Sequence, residues 1–188
     1  MDISDGARVS SRSAVIADLE ISGFYYYTGV VTVNGAGSTW TNAADLVVGG
    51  AGDGSMSIGN GGRVTNTDAA MVIGPKSSAT VTVTGLGSTW ANSGALVVGS
   101  QGLAKLEIHD GARVSNTFAV VGQSSGGSGT VTVDGAGSSW ANAQVLTIGD
   151  QGTGQLIVNS GATVSCAGGV VVVACCGEVP HQCPTSRN

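Results

Sequence analysis

The sequence predicts an all-β chain wound as a right-handed, single-stranded parallel β-helix, a solenoid with about 25 residues per coil. Three observations predict it. A Gly-Ser-(Thr/Ser)-Trp-(Thr/Ala)-Asn motif recurs around Trp40, Trp90 and Trp140 at an interval of fifty residues. That interval halves, because Val31-Thr32-Val33, Met56-Ser57-Ile58, Val81-Thr82-Val83, Leu106-Glu107-Ile108, Val131-Thr132-Val133 and Leu156-Ile157-Val158 follow one another at half that distance. Finally, 32 glycines, only 10% charged residues and a regularly patterned 41% apolar fraction suit short strands separated by tight turns.

Each triplet is apolar at its first and third positions and mostly polar between, the pattern of a strand with one face inward. A second strand is centred on Trp40-Thr41-Asn42, Trp90 to Asn92 and Trp140 to Asn142. In the alternate coils it is centred on Val64-Thr65-Asn66, Val114 to Asn116 and Val164 to Cys166. The third is an apolar run ending in glycine: Leu46-Val47-Val48-Gly49, Met71-Val72-Ile73-Gly74, Leu96-Val97-Val98-Gly99, Val120-Val121-Gly122 and Leu146-Thr147-Ile148-Gly149. One such coil cannot pair its own strand edges, whereas a stack gains parallel ladders and a continuous interior. Right-handed winding is the expectation for parallel crossovers.

Gly49, Gly74, Gly99, Gly122 and Gly149 are expected at one corner, in left-handed backbone that a residue without Cβ adopts at no steric cost. The positions of Asn42, Asn66, Asn92, Asn116 and Asn142 differ alternately by 24 and 26, as though one extra turn residue moved from one side of the asparagine to the other. They read either as turn residues tolerant of left-handed geometry or as a stacked amide ladder. For Trp40, Trp90 and Trp140 the choice is an exposed stripe that stacks on sugars or a packing element. Their alternation with Val64, Val114 and Val164 favours the core.

Residues 1–28 form an incomplete first coil plus an inserted Tyr-rich loop, residues 29–174 the repeats, and residues 175–188 a divergent, Cys-containing tail. About five residues are inserted near Phe24, Tyr25, Tyr26 and Tyr27, an aromatic loop expected either to offer a contact patch or to pack over the first coil. In the tail, Cys175, Cys176, Cys183 and His181, with Cys166 of the last coil, have poor spacing for one tetrahedral metal centre. A disulfide from Cys183 to Cys175 or Cys176 is the oxidising-compartment alternative.

Catalysis is not expected, and neither a cofactor nor a metal is. Acid-base hydrolysis needs carboxylates converging on one face, whereas Asp45, Asp53, Asp68, Glu107, Asp110, Asp134 and Asp150 are scattered, mostly beside turn glycines. His109 stands where equivalent coils have Gly59 and Asn159 and reads as a loop substitution. The Gly49 to Gly54 run lacks the nine-residue period of calcium-binding repeats. A threonine array that orders ice is broken by Ser57, Glu107 and Ile157. With a net charge of −5 and seven basic residues whose spacing suggests no basic stripe, nucleic acid is not an expected partner. No run reaches the roughly 18 to 20 apolar residues of a membrane span.

Stretches such as Gly129-Thr130-Val131-Thr132-Val133-Asp134-Gly135-Ala136-Gly137-Ser138-Ser139-Trp140 and Gly152 to Ser165 resemble the repeats of bacterial autotransporter (type V secretion) passenger domains, of the kind shared with PEP-CTERM-associated surface proteins. The resemblance covers about residues 29 to 165. It implies a right-handed parallel β-helix in a secreted or surface-exposed bacterial polypeptide that acts as adhesin or stalk. The expected role is therefore a non-enzymatic scaffold or adhesin segment, with host-surface, cell-cell or glycan contacts and end-to-end self-association at open strand edges. A carbohydrate-binding or polysaccharide-cleaving β-helix is the alternative. Neither a signal peptide nor a barrel is apparent in the sequence, which reads as a segment of a longer passenger.

Overall fold

The structure, a computed structural model, describes residues 1–18 and 27–172. It consists of three sheets of seven strands each, with every neighbouring pair parallel and adjacent strands one coil apart. The first sheet stacks Asp2–Ile3, Thr28–Asn34, Asp53–Gly59, Ser78–Thr84, Leu103–His109, Ser128–Asp134 and Thr153–Asn159. The second stacks Arg8–Ser11, Thr39–Asn42, Arg63–Asn66, Thr89–Asn92, Arg113–Asn116, Ser139–Asn142 and Thr163–Cys166. The third stacks Ala14–Ile16, Leu46–Val48, Ala69–Met71, Ala95–Val98, Phe118–Val121, Leu146–Ile148 and Val170–Val172. The chain is thus a β-solenoid, and the described residues contain no helix. At about 4.8 Å per strand the stack rises roughly 30 Å.

Inward positions alternate along each strand and form columns. Val31, Met56, Val81, Leu106 and Val131 make one, Val33, Ile58, Val83, Ile108 and Val133 the next, and all are buried. In the second sheet the inward column reads Val9, Trp40, Val64, Trp90, Val114, Trp140, Val164. The third sheet answers it with Ala14, Leu46, Ala69, Leu96, Ala119, Leu146 and Val170. Valine coils therefore carry Ala opposite Val through coil five, which leaves room for indole rings from the tryptophan coils to spread across the coil boundary at interior packing density.

Every coil from residue 28 onward keeps the same length although its turns do not match. In tryptophan coils the first turn, from Asn34 to Thr39, and the second, from Asn42 to Leu46, are each one residue longer than their counterparts from Gly59 to Arg63 and from Asn66 to Ala69. The third turn of the valine coils restores the difference, since Met71 to Ala79 is two residues longer than Val48 to Gly54. The 24/26 asparagine spacing follows: a tryptophan coil has one more residue before its asparagine and, netting the second and third turns, one fewer after it, as though one residue had moved across.

This turn exchange corrects one of the corner glycines. Ala69–Met71, not Met71 to Ile73, pairs with Leu46–Val48 and with Leu96 to Val98. The residue following it, Val72, occupies the corner at φ 62°, where Gly49, Gly99, Gly122 and Gly149 stand at 76°, 80°, 74° and 69°. Gly74 has no left-handed φ and lies two residues past the corner. The first coil places Ala17 there at φ 60°. A β-branched residue in left-handed backbone is strained. The buried Val72 side chain is accommodated because the next coil offers Gly102, where an added Cβ would come within 2.5 Å of Val72 Cγ1.

Candidate functional site: the tryptophan and asparagine column

The repeated motif turns inward. Trp40, Trp90 and Trp140 are buried, at 3%, 0% and 0% exposure, and the asparagines lie on the same inward side of the second sheet two residues further on. None of Asn42, Asn66, Asn92, Asn116 or Asn142 has a left-handed φ, so the turn reading does not hold for them: they are strand residues.

Their hydrogen bonds form separate units rather than one continuous ladder. The Trp90 indole N–H donates to Asn66 Oδ1 of the coil before it, at 2.9 Å, and Asn66 Nδ2 donates to Asn92 Oδ1 at 2.7 Å. Asn66 Nδ2 also reaches the Asp68 carbonyl at 2.9 Å. Fifty residues on, Trp140 Nε1 donates to Asn116 Oδ1 at 2.7 Å and Asn116 Nδ2 to Asn142 Oδ1 at 2.6 Å. Between units the amides turn to backbone, Asn92 Nδ2 to Ser115 O at 3.3 Å and Asn142 Nδ2 to Ser165 O at 3.4 Å. In the first coil Ser11 replaces the asparagine. Its hydroxyl donates to Asn42 Oδ1 and accepts from Trp40 Nε1, leaving Asn42 Nδ2 buried without a partner. In the last coil the position holds Cys166, with Asn142 Nδ2 4.0 Å from its Sγ.

A second set of contacts comes from the serine two residues before each tryptophan, which sequence reasoning missed. Ser38, Ser88 and Ser138 are fully buried, and each Oγ accepts the amide of Gly6, Gly61 or Gly111 in the coil before, at 3.0, 3.0 and 2.9 Å. Those glycines are the second residues of Asp5-Gly6, Asn60-Gly61 and Asp110-Gly111 turns in which both φ angles are positive, the type I′ pattern. That turn aims the glycine N–H along the axis, and a serine one coil on receives it. The signal available in the sequence was the strict recurrence of Gly-Ser ahead of (Thr/Ser)-Trp.

The other predicted positions are dispersed. Tyr27 is half-buried and its carbonyl accepts the Asp53 amide at 2.9 Å, while Phe24, Tyr25 and Tyr26 lie outside the described residues. Cys175, Cys176, Cys183 and His181 also lie outside them. Among the described residues Lys105 forms an ion pair with Glu107 at 2.7 Å and His109 Nε2 lies 4.0 Å from the same carboxylate, both on the outer side of the first sheet. Asp110 accepts the Thr84 hydroxyl at 2.9 Å, and Asp53 accepts both the amide and the hydroxyl of Ser78. Among the described residues no three His, Cys, Asp or Glu side chains gather as a metal site, and no helix is long and apolar enough to cross a membrane. On the outer side of the second sheet the register brings Arg8, Arg63 and Arg113 into one column, an alignment that their sequence spacing had not suggested.

No protein-family model, curated protein or solved structure matches the chain.

Proposed function

We propose that the chain is a non-enzymatic scaffold or adhesin segment displayed on a bacterial surface, part of an autotransporter-like passenger. One observation carries the reading: the strongest repeated signature, Gly-Ser-(Thr/Ser)-Trp-(Thr/Ala)-Asn, is directed inward and engaged in bonds between coils. The motif that recurs most strictly along the sequence is therefore what holds a rod together, while the outer face of the first sheet varies from coil to coil. Column members at the centre of the first sheet run Thr32, Ser57, Thr82, Glu107, Thr132, Ile157. A rod of this kind presents residues at fixed spacing and resists bending, which suits a stalk or an adhesin. The likeness of its repeats to passenger domains supplies the cellular setting. Stacked coils with local contacts also suit a chain that folds progressively from one end.

The test is protease shaving of intact cells that carry the gene in its own context, followed by peptide identification. Release of peptides from residues 29–174 before lysis is the expected result. Their appearance only after lysis would overturn the surface assignment.

A further inference from the structure

The second sheet is the one outer face whose charge is of a single sign. Its outward columns are Arg8, Thr39, Arg63, Thr89, Arg113, Ser139, Thr163 and, beside it, Ser10, Thr41, Thr65, Ala91, Ser115, Ala141, Ser165. Neither contains an acidic residue. All three arginines are exposed, and none takes part in the ion pairs found among the described residues. The nearest carboxylates along the chain are Asp5 and Asp110 in the turns before Arg8 and Arg113, and Asp68 in the turn after Arg63; Asp110 accepts the Thr84 hydroxyl and Asp68 the Ala95 amide. In a chain of net charge −5, three of seven basic residues stand in register on this face.

The spacing is as informative as the sign. Parallel strands lie about 4.8 Å apart, so arginines on every second strand recur at about 10 Å. Between them the bed is made of small hydroxyl and methyl side chains, which leaves it low and flat. A guanidinium offers a planar fork of donors suited to carboxylate or sulfate, and hydroxyls suit neutral sugar hydroxyls. A spacing of about 10 Å corresponds to the advance of two linked pyranose rings in an extended chain. Phosphates of a B-DNA strand advance about 3.4 Å each along the helix axis, so they do not match a fork repeat of about 10 Å one for one.

We propose that the outer face of the second sheet binds a linear acidic polysaccharide carrying one carboxylate or sulfate per disaccharide. Arg8, Arg63 and Arg113 each engage one anionic group, and Thr39 and Thr89 contact the intervening neutral sugars. The choice of a glycan rests on the surface reading above. The periodic cationic face rests on the register alone. Each contact is weak, and occupancy comes from several engaged at once along one polymer.

The experiment titrates the full chain with hyaluronan oligosaccharides, which carry one carboxylate per disaccharide. Parallel titrations use polygalacturonate, inorganic polyphosphate and neutral dextran. Expected are binding of the hexasaccharide, no binding of dextran, and an affinity that falls as salt rises, because exposed charge pairs are screened. The Arg63→Gln, Arg113→Gln double variant, checked for unchanged melting, loses at least tenfold in affinity, while Lys105→Gln on the first sheet binds as the parent does. Thr89→Arg places guanidinium groups on three successive strands and moves the preference toward polygalacturonate, which is charged at every sugar. No hexasaccharide binding, equal binding of polyphosphate at matched charge, or a double variant that binds like the parent would each overturn the proposal. So would a Thr89→Arg variant that gains equally for hyaluronan and polygalacturonate. None of these outcomes bears on whether the chain is released by shaving, so failure here and failure of the surface reading are separable.

Discussion

Asn66 and Asn42 occupy the same column of the same sheet and are almost equally buried, at 5% and 3% exposure, yet the structure assigns them unequal work. Replacing Asn66 by Ala removes the acceptor of the Trp90 N–H and the donor to Asn92 Oδ1. It also removes a donor to the Asp68 carbonyl, but that oxygen keeps the Leu46 amide at 3.0 Å. Two buried polar groups are left without partners at about 1–3 kcal/mol each, so the loss should be about 2–6 kcal/mol. Asn42→Ala removes an oxygen that accepts from Ser11 and an Nδ2 that has no partner at all. The Ser11 hydroxyl is only half-buried and still accepts from Trp40, so this loss should stay near about 1 kcal/mol. Because both changes delete the same side chain from comparable burial, transfer and cavity contributions largely cancel in the comparison. Urea unfolding followed by far-UV circular dichroism, with the m-value checked for each variant, measures both losses. Hydrogen exchange in the flanking strands then shows whether each loss is local. Equal destabilisation by the two variants would refute the paired-unit description and restore a uniform role for the column.

Two further outcomes follow from the corner and the tryptophans. Gly99→Val should destabilise by more than about 3 kcal/mol, because an added Cβ would approach the Ser128 carbonyl carbon and oxygen within 2.5 Å in backbone at φ 80°. Val72→Gly at the equivalent corner should change stability by less than about 1 kcal/mol, since relief of about 1–3 kcal/mol of strain offsets the loss of about 1.5–3 kcal/mol of burial. Thermal unfolding of both variants is the check, and a loss above about 3 kcal/mol for Val72→Gly would mean that the left-handed valine is unstrained. Iodide should barely quench the tryptophan emission of the folded chain, given exposures of 0–3%; quenching like that of free indole would place the rings outside.

The first sheet was legible in the sequence because its columns recur at one constant interval from Val31 onward. The third was legible except around Met71-Val72-Ile73-Gly74, which imitates the apolar-run-then-glycine pattern of its neighbours. The correct register depends on the turn after the asparagine, shorter in valine coils by one residue, and Asn116 to Ala119 holds the same clue. The serine-to-glycine bonds link residues 27 apart in Gly61 and Ser88, and nothing local announces a bond across a coil boundary. The arginine column was hidden by the extra residues of the first coil, which place Arg8 fifty-five residues before Arg63 although Arg63 and Arg113 are fifty apart. Strand pairing, not chain distance, determines which outward side chains become neighbours.

That pairing also explains why the tryptophan repeats every fifty residues when the coil has half that length. Of the six fully buried side-chain hydrogen bonds found among the described residues, five join a valine coil to the tryptophan coil that follows it, and Ser77 to Gly50 crosses the other kind of boundary. Backbone register does not share this bias: Asn66 pairs with Asn92 and Asn116 with Asn142, but Asn142 also pairs with Cys166, and first-sheet strands pair over seven residues from tryptophan to valine coils against six in the other direction. In buried side-chain bonds the repeat is a valine coil joined to the tryptophan coil above it, and the seams poorer in such bonds lie between these pairs. In a stack whose stability is a sum of local and nearest-neighbour contributions, opening should begin at those seams. Pulled along its axis in an optical trap, the chain should extend in steps of roughly 160 Å, the length of fifty extended residues less about 10 Å of folded rise. Steps of half that size would show that every coil boundary is equally strong and that the indole and amide bonds do not set the unit of unfolding.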